Sequence, residues 1–556
     1  MRKVAVVIGV MVLSLWGSRN VKSPYDLQRI NKVEDGAITT GSGQILITPC
    51  DTIEPHIPDI RALLGCPGKN IAVKGDTVVA ITGPYSGDPD NIFGGVYAYY
   101  SFDKGQTWQS FALSTSLNRR IYPGVIWPDA AGRTWSGSPS PLFFWHEAYR
   151  VGGVYQPSRM YIAWDIAWPS GIFWVVELPN SYDLNVWLPS ADAKGDTIIV
   201  TGVNVSTSFQ SFYWLSYDGG QTWQVSGQPI NTATDVDNAI PRIGNTPGYM
   251  AAIMEVYNEA QYPWGAYVPY FGESTDGGMT WTWYSLWDLA HGGNAPYDSC
   301  AGGWWYVYDF VLDSDDRPLI VWKYGKGTYE YGDVWFYKPT QGSPGNWSGW
   351  TYQLIAGDGQ GGNYATQPYI SIDPISNAIF LVWNGYFIVG TDTFNHLWIQ
   401  ASMDRGNTWY LDTLWPGYDS FQEEAAELPV YSPSYGGSVD LHLSFCNRST
   451  AAGDPALHSL YPAYISVKEK AKISLNGSSF SVKNKGRDLV INFSLPEKEK
   501  VELSIYNSAG RKISTIYKGD AISEKITYKA NKLTPGIYFI RLNSSTKTFT
   551  SKILLP

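Results

Sequence analysis

The sequence predicts an all-β chain in two parts, a large ring of repeated four-stranded antiparallel sheets followed by a small β-sandwich. Three observations predict this. An eight-residue pattern recurs four times, all 25 tryptophans lie before Lys468, and the charge changes sign at that residue. Residues 468–556 carry 17 basic and 7 acidic residues, so the preceding residues carry about −20 and the whole chain −10. The larger part is acidic, and we expect no nucleic-acid partner for it.

The N-terminus has the pattern of a secretion signal. Positive charge at Arg2 and Lys3 precedes an apolar run over residues 4–16, which is long enough for a signal-peptide core but too short to span a bilayer. We therefore predict a signal peptide over residues 1–19, with a buried strand as the alternative. No later stretch reaches 18 apolar residues, so we expect no transmembrane segment in the mature chain.

The repeated pattern is Ser-x-Asp-x-Gly-x-Thr-Trp, at residues 101–108, 216–223, 274–281 and 402–409. Each copy lies between two strand-like stretches, which places it on a hairpin turn. There the aspartate accepts bonds from backbone N–H groups, the glycine supplies a positive φ, and the tryptophan covers the hairpin. The residues predicted to hold these turns are Asp103, Trp108, Asp218, Trp223, Asp276, Trp281, Asp404 and Trp409.

This pattern resembles the Asp box, or BNR repeat, of the sialidase-like β-propellers, and the resemblance implies that fold. The boxes are 115, 58 and 128 residues apart, so a unit of about 60 residues is skipped twice. Degenerate copies fill the two gaps, at residues 161–174 and 336–347. Counting hairpins favours seven blades within residues 40–467, and a six-bladed ring is the alternative.

Closure of the ring requires an additional strand. The seventh hairpin, within residues 440–467, has no outer strand after it before the composition changes. Residues 44–48, Gln-Ile-Leu-Ile-Thr, form a strand-like stretch with no blade of their own. We expect this stretch to complete the last blade.

The tail, residues 468–556, predicts a small Ig-like β-sandwich because short strands alternate with turns there. Its order of elements, Ile505-Tyr-Asn-Ser-Ala-Gly-Arg511, then a strand ending at Leu542, then Lys552-Ile-Leu, resembles the type A C-terminal sorting domain of the type IX secretion system. The resemblance implies a secreted or outer-surface protein whose partner is the type IX secretion machinery. An ordinary Ig-like binding module is the alternative.

Metal and cofactor binding are not predicted. His146, His291 and His396 stand apart without ligand spacing. The acidic stretches at residues 235–238 and 313–316 offer oxygen ligands for Ca²⁺, but neither has the twelve-residue loop pattern, and solvated turns are favoured. The four cysteines also match no metal site, and Cys50 with Cys66, Cys300 and Cys446 would allow two disulfides in an exported chain.

The candidate site lies on the propeller face away from the Asp boxes, because ligands bind around the central channel at the loops of that face. Its candidate catalytic carboxylates are Asp235, Asp237, Glu259, Glu423 and Glu424. Its candidate ligand-binding residues are Arg120, Tyr122, Arg242, Tyr257 and Trp264.

Three functions are compatible with this pattern. The first is binding of an extracellular glycan or protein by aromatic side chains on rigid loops. The second is an extracellular carbohydrate-active enzyme, a sialidase-like glycoside hydrolase or a lyase; a glycosidase needs two carboxyl groups about 5–10 Å apart. Resemblance to the sialidase arginine cluster is poor, since only Arg120-Ile-Tyr-Pro and Pro241-Arg242-Ile approach its Arg-Ile-Pro. The third is a structural component of an envelope layer.

Overall fold

Consecutive strands of the chain pair into eight antiparallel sheets in the described residues. Seven of these sheets lie in one compact unit and the eighth lies in a second unit. The computed structural model describes residues 68–82, 95–115, 119–131, 140–152, 154–206, 209–258, 261, 267–294, 308–325, 332–357, 359, 365–389, 392–414, 423–434, 439–447, 456–463, 479–485, 488–507, 511–531, 533–534, 536–544 and 548–555.

The first four sheets, called blades 1 to 4, follow one another along the chain. Blade 1 is β1 (Ile71–Lys74), β2 (Thr77–Thr82), β3 (Val96–Ser101) and β4 (Gln109–Ser114); blade 2 is β5 (Arg119–Ile126), β6 (Leu142–Val151), β8 (Arg159–Asp165) and β9 (Phe173–Glu177), with β7 (Val154–Tyr155) beside β6; blade 3 is β10 (Val186–Lys194), β11 (Thr197–Asn204), β12 (Ser211–Ser216) and β13 (Val225–Pro229); blade 4 is β14 (Ile240–Ile243), β15 (Met250–Tyr257), β16 (Tyr267–Ser274) and β17 (Thr282–Ser285).

Blades 5 to 7 continue the series, and short helices occupy some of the connections. Blade 5 is β18 (Tyr308–Leu312), β19 (Pro318–Tyr324), β20 (Asp333–Gln341) and β21 (Ser348–Ala356); blade 6 is β22 (Ala365–Ile372), β23 (Ile379–Val389), β24 (Asp392–Ser402) and β25 (Tyr410–Leu414); blade 7 is β26 (Glu423–Glu427), β27 (Val439–Asn447) and β28 (Ala456–Ala463); the helices are a 3₁₀ turn (Pro128–Ala131), α1 (Ser181–Leu184) and α2 (Leu286–His291).

The seven blades close into a ring. Each blade contacts the next, mainly through its first strand, and β1 of blade 1 contacts β27 of blade 7. The Asn70 amide also donates to the Glu427 carboxylate (2.9 Å), and Lys104 forms an ion pair with Asp440 (2.7 Å). The described residues therefore confirm the predicted β-propeller and its seven blades. The strand expected at residues 44–48 lies outside them.

Burial explains why the inner strands are apolar. All six residues of β12 and all seven of β19 are buried, whereas half of the residues of the outer strand β4 are exposed. Trp145, Trp322 and Trp383 are at most 1% exposed. Many of the tryptophans thus pack within and between blades, where large aromatic rings bury the most apolar area.

The Asp boxes are self-contained hydrogen-bonded turns. In residues 216–223, Asp218 Oδ1 accepts from the Thr222 amide (2.8 Å) and from the Ser216 hydroxyl (2.8 Å), while Oδ2 accepts from the Thr222 hydroxyl (2.6 Å). Gly220 donates its amide to Ser216 at a φ of 84°, a conformation that favours glycine. The other three boxes repeat this set of bonds.

Replacement of Asp218 by alanine is expected to lower the free energy of unfolding by about 1–3 kcal/mol, because three donors in the turn lose their acceptor. Denaturant unfolding of the full chain measures the change. The matched control is Asp196→Ala, at an exposed residue in the neighbouring β10–β11 turn, which should change stability little. A loss of ligand binding at unchanged stability would contradict a structural role for the box.

The C-terminal unit is a β-sandwich of five strands. Its strands are β29 (Ser479–Lys485), β30 (Asp488–Asn507), β31 (Lys512–Lys529), β32 (Gly536–Asn543) and β33 (Thr548–Leu555). β30 pairs with β29 through its first half and with β32 through its second half, and its register with β31 breaks between these halves. Side chains from both halves share one core, so the long strand passes through both layers. This confirms the predicted Ig-like sandwich.

Several expectations fall outside the described residues. These are the signal peptide over residues 1–19 and the side chains of Cys50, Cys66, Cys300 and Cys446, although the backbone of Cys446 lies on β27. In the part of the chain that is described, we find no helix with the length and apolar character needed to cross a membrane.

Candidate functional site

A recess opens between blades 3 and 4 on the propeller face away from the Asp boxes. The space in it that the centre of a water-sized sphere can reach is about 20 Å³, enough for one small polar group such as a hydroxyl. Apolar and aromatic side chains form most of its wall, and two carboxylates complete it. The lining residues are Leu188, Val203, Val205, Phe209, Asp235, Val236, Asp237 and Tyr267.

The segment from Asp235 to Asp237 is held by backbone bonds on both sides. The Val236 amide donates to the Phe209 carbonyl (2.7 Å), and Val236 forms an antiparallel bridge with Val256 at the end of β15. Asp235 is exposed, Asp237 is half-buried, and Val236 between them is buried. These bonds hold the segment in place. The Cα atoms of Asp235 and Asp237 are at most about 7 Å apart, because only one residue separates them in the chain.

Three of the ten described residues other than glycine that have a positive φ line the recess. Leu188, Phe209 and Asp235 all have a positive φ, of 58°, 45° and 56°. Such conformations cost on the order of 1–3 kcal/mol each for residues other than glycine, and they persist where the surrounding structure requires them. Three of them in the wall of one recess indicate that the shape of this site is maintained against a conformational cost.

A pair of carboxyl groups lies across the ladder at the recess. The Asp237 amide donates to the Glu255 carbonyl (3.1 Å), so the two residues are directly opposite on adjacent strands. Residues opposed in this way have Cβ atoms about 4.5–5.5 Å apart, and two like charges there repel each other. Burial, followed by the Asp237 carboxylate, raises the pKa of Glu255 well above its usual value. Burial therefore disfavours the charged form of Glu255.

The Glu255 carboxyl group is only partly satisfied. Glu255 is fully buried, and its Oε1 accepts from the Trp322 indole N–H (2.9 Å). Its Oε2 has no hydrogen-bond partner among the described residues. A buried polar atom left unpaired is expensive, by about 1–3 kcal/mol, and such atoms are uncommon in folded proteins.

Tyr308 and Trp322 of blade 5 form the support behind this pair. Their rings stack with centroids 4.5 Å apart, and the Tyr308 hydroxyl donates to the Asn238 carbonyl (2.7 Å). Burial, and then the charges of Asp237 and Glu255, raises the pKa of Tyr308. Tyr308 is therefore a neutral hydrogen-bond donor that fixes the segment after Asp237.

The structure brings some of the predicted site residues together. Asp235 and Asp237 both line the recess, and the exposed Tyr257 lies opposite Asp235 with its ring 5.4 Å from that of Tyr267. Tyr122 packs into the hydrophobic cluster that contains Leu188, Val203, Val205 and Phe209, so it lies behind the recess wall. It stacks on the buried His146, which bonds Ser158 (2.7 Å).

The other predicted site residues are placed elsewhere or fall outside the description. Arg242 does not line the recess: it is 2% exposed, and its Nη2 lies 3.7 Å from Asp309. Glu423, Glu424 and Arg120 are described as backbone only, on β26 and β5. Glu259 and Trp264 lie outside the described residues.

Sequence reasoning missed four contributors to the site. These are Glu255, Tyr308, Phe209 and Tyr267. A usable signal existed for Glu255, since it is the single charged residue in the otherwise apolar strand β15, Met-Ala-Ala-Ile-Met-Glu-Val-Tyr. A charged residue in such a strand is either paired or functional.

The centre of the ring holds a buried charge network. Lys69 Nζ lies 2.6 Å from Asp309 Oδ2, which also accepts from the Ile370 amide (2.9 Å) of the next blade. Carboxylates on the first strands of blades 3, 5 and 7 each accept an amide from the following blade; the bonds are Asp192 to Ile243, Asp309 to Ile370 and Glu427 to Asn70. These side chains join neighbouring blades and are absent from the lining of the recess.

Of the two acidic stretches considered for Ca²⁺, residues 235–238 contribute Asp235 and Asp237 to the recess, and residues 313–316 accept bonds from backbone amides. Asp313 accepts from the Asp315 and Arg317 amides, and Asp316 accepts from the Thr246 amide (2.6 Å). Within the described ranges, no three His, Cys, Asp or Glu side chains are grouped in a way that would hold a metal ion.

Fold and tail together define an exported β-propeller protein. Residues 487–555 match the family model of the secretion system C-terminal sorting domain, which confirms the predicted tail. The protein is accordingly secreted or held at the outer cell surface, and its tail is the element that secretion machinery reads. No curated protein matches the chain.

Solved structures with a similar course of the chain include three from different families. A polysaccharide lyase of family PL25, an ulvan lyase bound to -[GlcA(1-4)Rha3S]-, is 10% identical, with 73% of this chain and 95% of that chain covered and a TM-score of 0.45. The GH93 α-L-arabinofuranosidase of Fusarium graminearum is 12% identical (74% and 97% covered, TM-score 0.38). The Trypanosoma rangeli sialidase is 9% identical (93% and 89% covered, TM-score 0.37).

Proposed function

We propose that this exported β-propeller binds an extracellular glycan in the recess between blades 3 and 4. One observation carries the proposal: an apolar and aromatic wall, including Phe209 and Tyr267, is combined with two carboxylates, Asp235 and Asp237. Sugars present apolar faces that stack on such walls and hydroxyl groups that donate to carboxylates.

The size of the recess favours a glycan over a protein partner. A stable protein interface buries about 800 Å² on each side, mostly over a broad surface. The recess, with about 20 Å³ open to a water-sized sphere, is far smaller than such an interface and has room for about one hydroxyl-sized group of a sugar residue.

The charge of the recess favours a glycan without acidic groups. None of the described lining residues is basic. Arg242, the arginine nearest to the sialidase pattern in sequence, is committed to Asp309 in the buried network. A sialic acid or uronic acid carboxylate would approach two carboxylates in a recess whose described lining residues include no lysine or arginine, and like charges at close range repel.

Binding is tested with the full chain on a glycan array, followed by titration of the best ligand. Val205→Trp should weaken binding at least tenfold, because an indole in place of the partly buried Val205 fills the recess. Asp237→Asn should weaken it by a similar factor by removing a charged acceptor.

The matched control is Asp196→Asn, the same substitution in the same region at an exposed turn on the Asp-box side, which should bind as the wild type does. Thermal unfolding of each variant separates lost binding from lost folding. Unchanged affinity in both recess variants would place the glycan elsewhere, and binding to no glycan would favour the structural-layer function.

A second candidate function, glycosidic bond cleavage, is favoured by the pair Asp237 and Glu255. Burial raises the pKa of Glu255, and Asp237 lies opposite it on the neighbouring strand. Retaining glycosidases use such a pair, a carboxyl group with a raised pKa and a second carboxylate, with the two carboxyl groups about 5–5.5 Å apart. Release of reducing ends that disappears in Glu255→Gln, while binding persists, would support this function.

A further inference from the structure

We infer that the recess takes the exocyclic hydroxymethyl group of a neutral hexose, and that it thereby selects hexose glycans over pentose and uronic acid glycans. This inference rests on the proposed function and names the class of glycan. Three features of the recess lead to it: its small size, the combination of apolar and acidic groups in its wall, and the hydrogen bonds that hold that wall.

The size of the recess limits what enters it. The centre of a water-sized sphere reaches about 20 Å³ there, which is room for about one hydroxyl-sized group. The oxygen of a hydroxymethyl group lies two bonds from the sugar ring, whereas the oxygen of a ring hydroxyl lies one bond from it. The hydroxymethyl oxygen is therefore the sugar hydroxyl that reaches into such a recess while the ring stays at its mouth. Acetamido and sulfate groups have more atoms than this space holds.

The wall of the recess offers a contact for each part of a hydroxymethyl group. Six of its eight lining residues are aliphatic or aromatic, and a CH₂ group gains by burial against them. The other two, Asp235 and Asp237, are carboxylates that accept a hydrogen bond from the hydroxyl. A carboxylate has about four acceptor positions, so this bond does not require Asp237 to be without other partners. A pentose lacks both the CH₂ group and this hydroxyl, and a uronic acid places a like charge there.

Hydrogen bonds hold the wall in place, so its size is a basis for selection. Leu188 and Phe209 line the recess, and both have a positive φ. The Asn238 side-chain amide donates to the Leu188 carbonyl (2.6 Å), and the Val236 amide donates to the Phe209 carbonyl (2.7 Å). Asn238 is buried, and its own carbonyl accepts from the Tyr308 hydroxyl (2.7 Å). A wall supported in this way does not widen readily for a larger group.

Ligand-detected NMR titration of the full chain with three matched pairs of methyl pyranosides tests this inference. Each pair is a hexoside and the pentoside that lacks only its hydroxymethyl group: β-D-glucoside with β-D-xyloside, β-D-galactoside with α-L-arabinoside, and α-D-mannoside with α-D-lyxoside. Single sugars make the test independent of the glycosidic linkage. We expect at least one hexoside to bind at least tenfold more tightly than its pentoside, because the pentoside loses a buried CH₂ contact and a charge-assisted hydrogen bond.

Three variants assign the preference to the recess. Val205→Trp should abolish it, because an indole fills the space. Val205→Ala removes two methyl groups from the wall and should admit a larger group. The 6-O-methyl derivative of the hexoside that binds should be at least tenfold weaker than its parent with the wild type, and within about threefold of its parent with Val205→Ala. The matched control is Val154→Ala at a residue that is 64% exposed, which should change neither ratio.

The outcomes separate this inference from the function on which it rests. Equal affinity for hexoside and pentoside in every pair that binds would overturn the hydroxymethyl preference, and glycan binding in the recess would stand if Val205→Trp still weakened it. A preference that survives Val205→Trp in a folded variant would overturn the assignment to this recess. The inference would also fail if a glycan from the array bound and none of the three hexosides did. Binding to no glycan at all would instead overturn the proposed function.

Discussion

Replacement of Asp309 by alanine is expected to lower the free energy of unfolding of the propeller by about 3–5 kcal/mol. Its Oδ2 contacts Lys69 Nζ at 2.6 Å, and its Oδ1 lies 3.7 Å from Arg242. All three side chains are at most 2% exposed. Alanine would leave two buried cations without their shared anion, and an uncompensated buried charge is among the largest single-residue destabilisations known.

The Asp309 side chain also joins blades, which adds to this effect. It accepts the Ile370 amide of blade 6 and the Phe310 amide of its own strand, both at 2.9 Å. Asp309→Asn keeps an oxygen for one of these amides but removes the charge, so its loss of stability should be smaller. Denaturant unfolding of the full chain, with the propeller transition followed by tryptophan fluorescence, measures both variants.

The matched control is Glu177→Ala. Glu177 pairs with Arg159 at 3.1 Å, but both side chains are about 40% exposed, and exposed pairs contribute about 0–1 kcal/mol. If Asp309→Ala were no more destabilising than Glu177→Ala, the central network would contribute little, and ring closure would depend on apolar packing alone.

Local contacts explain why the fold was predictable. Every bond of an Asp box lies within eight residues, as with Asp218, Ser216 and Thr222, so the motif is visible in the sequence wherever the turn forms. The order of the sheets follows directly, because each blade is made of consecutive strands. The resemblance of the tail rested on a similarly local order of strands and turns, and residues 487–555 match the sorting domain.

Only part of the candidate site could be predicted, because the residues that contact each other in it come from strands that are distant in the sequence. Asp235 and Asp237 stand in an acidic loop that the sequence shows plainly. Their partner Glu255 faces Asp237 only through the register of β15, and Trp322, which binds Glu255, is 67 residues farther along. Registers of this kind depend on three-dimensional packing, which a single sequence does not display.

Arg242 is a residue that the sequence placed in the candidate site and the structure does not. As an arginine near a blade start, it had the sequence context of a ligand-binding residue. The structure places it 3.7 Å from Asp309, on the first strand of the adjacent blade, where the arginine is part of the blade-to-blade network. From a sequence alone, a buried arginine that pairs with a carboxylate cannot be distinguished from an exposed arginine that binds a ligand.

The second large effect expected is a gain of stability at high pH in Glu427→Gln. Burial raises the pKa of Glu427 to about 8, although the Asn70 amide and the Lys69 charge oppose the shift. In the unfolded chain the pKa lies near 4.5. Between pH 4.5 and 8 the folded state therefore keeps a proton that the unfolded state releases, and the free energy of unfolding falls as pH rises through this window.

Glutamine removes the titration and keeps the geometry. Its amide oxygen can accept the Asn70 amide as Glu427 Oε2 does now (2.9 Å), while Glu427 Oε1 has no partner to lose among the described residues. The variant should match the wild type at pH 4.5 and exceed it by on the order of 3 kcal/mol at pH 7. Denaturant unfolding at a series of pH values gives this difference directly.

Glu177→Gln serves as the control for the amide substitution itself, since Glu177 is about 40% exposed and should show little pH-dependent change. The sign of the result distinguishes two states of the central network. A variant that becomes less stable than the wild type as pH rises would mean that Glu427 is ionised and paired with Lys69 in the folded protein. Lys69 would then be shared between Asp309 and Glu427, and the loss caused by Asp309→Ala would be correspondingly smaller, because one anion would still face the buried lysine.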